Sequence, residues 1–431
     1  MIRVLTISLI FVLCSAFNTP PNWEDMVKAD LAYLLDFYKT RHQHPELSLE
    51  EKETSKTLAN ELRKVGFEVT ENAGGYGVVG ILKNGKGPTI LYRTDMDALP
   101  ITEKTELEYA SKAMAAYNGG ETGAMHACGH DMHMTTWVGT ARAMAKIKDK
   151  WKGTLMFIGQ PAEEIGQGAG LMLADGLYEK FGVPDYGVAL HVSPTIPSGQ
   201  IGIGKGYTMA NAESIDIKVY GMGAHGASPH MSIDPVVLAS MMVVEFQTIV
   251  SRTVAPTKAA VVTVGAIHGG SKHNIIPDEV TLKLTVRTFE ESVRLKIHER
   301  IRQIAKGTAI AAGLPEDKMP EVIIPETFTP ANYNDPALVD RLTASSKKII
   351  GKDNIVDTEP LTVAEDFAKY GRTKHDVPTA LFWLGSAPEE RVKSGNLPGL
   401  HSPFYYPEPV TTIETGVGVV TQMLLDLMGG E

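Results

Sequence analysis

GTLMFIGQPAEE, residues 153–164, sets a short apolar run against two adjacent carboxylates. A run of this length without polar alternation suits a strand buried on both faces, the kind found in parallel sheets covered by helices. Glu163 and Glu164 then stand just past the end of that strand. Working outward, TILYR (89–93) leads to Asp95 and Asp97, and YGVAL (186–190) leads to His191. TALFWLG (379–385) is followed by the loop PGLHSP, which carries His401. Cys128 and His130 precede a helical run over 131–147, with Met134, Trp137, Val138, Ala141 and Met144 on one face. In open α/β sheets the carboxyl ends of the strands line one crevice, so side chains far apart in sequence converge there.

The fold class that follows is α/β: a layered αβα domain built on a mixed sheet. Residues 23–65 read as helical, and 76–93 as a β-hairpin turning around Asn84, Gly85 and Gly87. Beyond about 207 the order changes to strand 214–219, helix 234–249, strand 259–266, strand 279–287, helix 291–312 and strand 321–324. That is βαββαβ, which closes on itself as a ferredoxin-like unit. The expected organisation is a catalytic domain in two parts, 17–206 and 323–431, with a second domain, 207–322, inserted between them.

The chain has 431 residues, 43% hydrophobic and 21% charged, an ordinary globular composition. Its net charge of −10, without a long basic run, excludes the electrostatic footprint of a nucleic-acid binder. Residues 1–16, MIRVLTISLIFVLCSA, combine Arg3, an apolar stretch and a small-residue end, the pattern of a signal peptide. An exported protein, periplasmic or secreted, is expected, with no integral membrane span. Cleavage removes Cys14, and a lipid on that residue is disfavoured by the bulky Leu13 before it. Cys128 is then the single thiol, so no internal disulfide exists.

Each candidate taken alone has an ordinary explanation. An acid pair after a strand usually caps a helix or faces water, and a lone histidine is usually a satisfied polar residue. Together, a thiolate, imidazoles and carboxylates form the donor set for borderline divalent ions such as Zn, Mn, Co or Ni. Adjacent glutamates at a loop point in different directions, so one can bind metal while the other stays free as a general base.

LYRTDMDALPI, MHACGHDMH, GQPAEEIGQGA, AHGASPH, HNIIPDEV, AEDF and GLHSP together resemble the metal-dependent amidohydrolase family of hippurate hydrolases, indole-3-acetyl-amino-acid hydrolases and N-acetyldiaminopimelate deacetylases, relatives of aminoacylase and carboxypeptidase G. The resemblance spans about 25–428. It implies a two-metal site, with Cys128 bridging and His130, Glu164, His191 and His401 as the other ligands. Glu163 matches the general base, and Asp97 the acid that orients a ligand imidazole. Asp95 stands where peptidase relatives have a ligand histidine and is read as support. The inserted domain becomes a lid that mediates homodimerisation. Its His225 matches a residue reaching into the partner protomer's site to meet the developing oxyanion, and Asn274 and Arg287 match the residues that hold the substrate's α-carboxylate. The substrate implied is a small N-acyl amino acid or peptide.

Several positions stay open at this level. His126 and His133 are either supports of the site or helix-surface residues, and Asp366 either caps a helix or supports the site. His230 and His268 read as structural, and the charged stretch 290–306 as the solvated face of a lid helix. Trp137, with Met134 and Thr94, departs from the small or aliphatic residues usual in the family; it reads as core, or else narrows the acyl pocket. Three rival functions are a metallo-dipeptidase or carboxypeptidase, a thiol hydrolase using Cys128 with His130, and a non-catalytic binding protein on the same fold.

Overall fold

The computed structural model describes residues 23–429, so the expected leader at 1–16 lies outside the described residues. The helical region 23–65 divides into α1 (Trp23–Gln43) and α2 (Lys52–Lys64). The main sheet has eight strands: β1 (Glu68–Glu71), β2 (Val78–Asn84), β3 (Thr89–Asp95), β4 (Gly153–Gln160), β5 (Tyr186–Pro197), β6 (Ile201–Ile203), β11 (Ile355–Asp357) and β12 (Thr379–Ala387). Their order is β1-β2-β4-β3-β5-β12-β6-β11. The four at the centre, β4, β3, β5 and β12, are parallel, which sends their carboxyl ends to one edge.

The expected hairpin over 76–93 does not form. β2 and β3 are both strands, but β4 lies between them, antiparallel to β2 and parallel to β3. The turn residues are real; the pairing is decided by burial. β4 is buried along nearly its whole length and needs a partner on each side. Two strand spacings are about 10 Å, well within reach of the short 85–88 connection.

Alternate residues of each central strand feed opposite cores. Ile90, Tyr92, Leu155 and Phe157 pack under α1, α2, α3 (His130–Lys146), α7 (Pro336–Ile350) and α8 (Pro409–Leu427). Leu91, Met156, Ile158 and Leu381 pack on the other face against Met172, Leu177, Phe367 and Tyr370. Trp137 belongs to the first core: it is fully buried, 5.4 Å from the Phe157 ring, and its Nε1 donates to the Tyr92 carbonyl. It has no share in a pocket.

Residues 213–323 make a second, four-stranded sheet from β7 (Glu213–Tyr220), β8 (Ala260–Gly269), β9 (Glu279–Thr288) and β10 (Glu321–Ile323). Its order is β8-β9-β7-β10, antiparallel throughout, as a ferredoxin-like βαββαβ unit requires. One face is packed by α5 (Pro235–Thr248) and α6 (Glu291–Ala311) through Ile215, Ile217, Leu282, Phe246 and Ile301. The stretch Pro235–Thr253 is long and apolar enough to cross a membrane, with mean hydropathy 1.3, but its Leu238, Met242 and Phe246 fill this core. In α6 the charged stretch is not wholly solvated. Arg294 and His298 turn inward and bind Glu213, at 2.9 and 2.6 Å.

Candidate active site

The parallel strands deliver the acidic and imidazole groups to one edge, and the loop before α3 delivers the thiol. His191 lies within β5, opposite Trp383, because that strand continues past the apolar run. Cys128 Sγ is 3.4 Å from His191 Nε2, and His401 Nε2 is 3.4 Å from Glu164 Oε2. Two sets of donors, Cys128 with His130 and His191, and Cys128 with Glu164 and His401, each have their ligand atoms within 4.8 Å of one another. Cys128 is common to both. Glu163 closes a third set with His130 and Glu164.

Hydrogen bonds fix which ring nitrogens face this space. His130 Nδ1 donates to the Asp97 carbonyl at 2.8 Å, and His191 Nδ1 donates to the Val192 carbonyl at 2.8 Å. Each Nε2 is therefore the ring nitrogen turned toward the donor cluster, the orientation that a carbonyl behind a ligand imidazole enforces. Asp97 acts mainly through its main chain on His130, while its carboxylate accepts from Ser48 at 2.6 Å and from the Glu164 N–H at 3.0 Å.

His130 Nε2 and Glu164 Oε1 are buried without a hydrogen-bond partner. Orphaned polar atoms of this kind are costly unless a partner meets them. The charge balance says the same. Burial opposes a charge on His130, yet Asp95, Asp97 and Glu164 raise its pKa to about 10. Burial lifts Glu164 to about 7 and, with Glu365 and Glu164 as neighbours, holds Glu163 well above the carboxylate range. The cluster lacks positive charge, and a divalent ion on either donor set would supply it. Burial, then Glu164 and Glu163, keep the Cys128 thiol well above its ordinary range. That is the reverse of the activation a thiol nucleophile needs.

Behind the donors sits a buried ionic network that the sequence reading missed. Arg93 binds Asp95 at 2.7 Å, Glu365 through both carboxylate oxygens and Gln160 at 2.9 Å, all fully buried. The available signal was a charged residue inside an apolar strand run, since an arginine there must be paired. Asp366 caps no helix over 368–371; its carboxylate accepts from Gln160 Nε2 at 2.6 Å and from the Ala169 N–H at 2.9 Å, at the start of α4 (Gly168–Ala174). His133 is a support: its Nδ1 donates to Asp95 at 2.6 Å and its Nε2 accepts from Val192 N–H at 2.8 Å, next to His191. His126 supports no ligand. Both its nitrogens are buried and unpartnered, and burial lowers its pKa to about 4, so it is a neutral core residue.

Among the described residues the lid residues have their own local partners. His225 and Asn274 share a short antiparallel ladder, Ala224–His225 against Ile275–Ile276, in which Gly226 N–H donates to the Asn274 carbonyl at 2.8 Å. His225 is exposed, and its Nδ1 accepts from Ala227 N–H, which leaves Nε2 as its free N–H. Arg287 is half-buried on β9 opposite Val261. His230 and His268 are both exposed and belong to none of the donor groups.

Residues 91–426 match the model of peptidase family M20/M25/M40. The N-acetyl-L-cysteine deacetylase of Bacillus subtilis (strain 168) is 38% identical over 338 residues, 78% of this chain and 77% of that protein. The hippurate hydrolase of Campylobacter jejuni is 39% identical over 344 residues, 79% and 86% of the two chains. A crystal structure of a dinuclear metal-binding M20 peptidase from Bacillus subtilis superposes with a TM-score of 0.77 at 28% identity, covering 94% of this chain and 100% of that one. The sequence match across most of the chain, the shared fold and the paired donor sets place the chain in peptidase family M20/M25/M40, the metal-dependent hydrolases of amide bonds.

Proposed function

We propose that the protein hydrolyses the amide bond of N-acyl amino acids to a carboxylic acid and a free amino acid. The observation that carries the reading is Cys128 shared by two donor sets, with Glu163 beside them and outside both. His130, Glu164, His191 and His401 complete the sets. When bound there, two divalent ions supply Lewis-acid polarisation of the amide carbonyl and make a water more acidic. Glu163, buried and crowded by carboxylates, has the raised proton affinity of a group that takes a proton from water and passes it to the departing amine nitrogen. A metallo-dipeptidase or carboxypeptidase would use the same groups and differ only in what the pocket admits.

The substrate's carboxylate falls to Arg287 and Asn274, and the oxyanion to His225, all on the lid. A site completed by a second copy, and with it a homodimer through the lid, is part of the proposal. Val236, Val237, Met241 and Val244 expose an apolar stripe on α5, and β8 leaves one edge of the lid sheet unpaired. Export rests on the leader pattern of residues 1–16.

The test is amine release from N-acetyl, N-benzoyl and indole-acetyl amino acids and a few dipeptides, before chelation, after it and after Mn, Zn, Co or Ni is restored. Turnover of acyl amino acids that vanishes with chelator and returns with metal supports the reading. Preference for dipeptides selects the peptidase alternative, and activity surviving complete metal removal overturns both.

A further inference from the structure

Ala162, the residue before Glu163, is fully buried and has φ +52°, in the left-handed region that a side chain with a Cβ disfavours. The surroundings hold it there. Its carbonyl accepts from the N–H groups of Gln167 and Gly168, and Gly166 N–H turns back onto the Glu163 carbonyl at 2.7 Å. Its own N–H donates to Glu51 Oε1 at 2.7 Å. Glu51 has no exposed surface, and its Oε2 has no partner.

Glu51 closes a connection, 44–51, that is braced against the site throughout. Glu46 accepts from Glu53 and Thr54 N–H at the start of α2, its carbonyl accepts from Ala98 N–H, and Ser48 donates to Asp97. The two neighbours of Glu163 thus have their peptide N–H groups on buried carboxylates: Ala162 on Glu51, and Glu164 on Asp97. Glu163 itself has neither anchor. Its direction is inherited from the peptide planes on either side.

We propose that Glu51 is a positioning residue for Glu163, acting through the Ala162 N–H to hold the left-handed turn that aims the base. The inference rests on the reading of Glu163 as the base. Strained non-glycine backbone persists only where its surroundings over-determine it, and it concentrates at functional sites. Glu51 touches neither a donor atom nor a substrate, so its effect belongs in kcat. Burial and the nearby Asp97 raise its pKa to about 7, so the neutral glutamine, which keeps the acceptor oxygen, is the conservative replacement.

The experiment compares kcat, KM, bound-metal stoichiometry and thermal midpoint for the wild type, Glu51→Gln, Glu51→Ala and Glu51→Ala/Ala162→Gly in the full-length metal-loaded protein, on the best substrate of the panel above. Because misplacing a catalytic group by about 1 Å costs about 100-fold, Glu51→Ala should lose about that much kcat, with KM and metal content kept and Glu51→Gln close to wild type. Glycine at 162 adopts the left-handed turn without penalty and should restore about tenfold of the loss. A folded, metal-loaded Glu51→Ala with wild-type kcat overturns the proposal, as does equal loss in Glu51→Gln. Should Glu51→Ala fail to fold, Glu51→Asp, which keeps the charge and shortens the reach, must lose kcat or the proposal fails. Glu163→Gln runs in parallel: its retaining turnover defeats the base reading itself, independently of Glu51.

Discussion

Arg93 and Glu365, 272 positions apart in the chain, meet as a two-point ion pair: Nη2 lies 2.8 Å from Oε1 and Nη1 3.3 Å from Oε2, both side chains buried. The same guanidinium holds Asp95, which in turn holds His133. One cation thus neutralises acids from two segments of chain, Asp95 and the 365–366 pair, and fixes the floor on which the donor atoms stand.

Breaking a buried pair by removing one partner costs far more than the pair contributes, because charges are left stranded. Arg93→Lys keeps the charge but loses the planar fork that reaches Asp95, Glu365 and Gln160 together. Denaturant unfolding should show a loss of about 3–5 kcal/mol for Arg93→Met, which removes the charge, and a smaller loss for Arg93→Lys. An unchanged midpoint would mean the network is not what orders this floor.

Glu163→Gln preserves shape and removes the ability to carry the proton. Turnover should fall by about 100- to 10,000-fold, the range that general acid–base catalysis supplies. Elemental analysis should show the wild-type metal content. Substantial activity in this variant would remove Glu163 from the base role.

His42 gives a pH dependence of stability. Burial disfavours its charge, yet Asp131 at 2.7 Å and Glu103 at 3.1 Å raise its pKa from 6.5 to about 9. A folded pKa above the unfolded one means the folded state holds the proton more tightly. The stabilisation is therefore complete below pH 6.5 and is lost as pH rises through about 9. Unfolding midpoints followed across that window should fall for the wild type and fall less for His42→Gln; parallel curves would remove His42 as the cause.

On α5, Val244 is 69% exposed in an apolar stripe. Val244→Asp should convert a dimer to a monomer by light scattering, at unchanged thermal midpoint, and reduce kcat if His225 serves the partner's site. A wild-type protein that is already monomeric would end the dimer reading.

The layered sheet, the inserted βαββαβ order and the donor residues were legible because each depends on local pattern: apolar runs, helical spacing, ligand types at strand ends. What escaped depends on partners distant in sequence. Nothing within 76–93 announces that residues 153–160 will separate its two strands, and nothing near Arg93 announces Glu365. His133 and Asp366 were left undecided for the same reason, since their roles are set by Asp95, Val192, Gln160 and Ala169. Trp137 was readable as core because its neighbours on α3 share its face.

The placement of β4 between β2 and β3, and of β12 beside β5, also governs the order of biogenesis. During synthesis β1 and β2 can pair with each other, but β3 must wait for residues 153–160 to emerge before it joins their sheet. The inserted unit, whose four sheet strands pair only with one another, can fold next, while the parallel core still lacks β12. His401 follows β12 in the chain, so the set of Cys128, Glu164 and His401 comes together only after the strand that closes the parallel core has emerged. The second donor set and the complete sheet thus arise in the same late step.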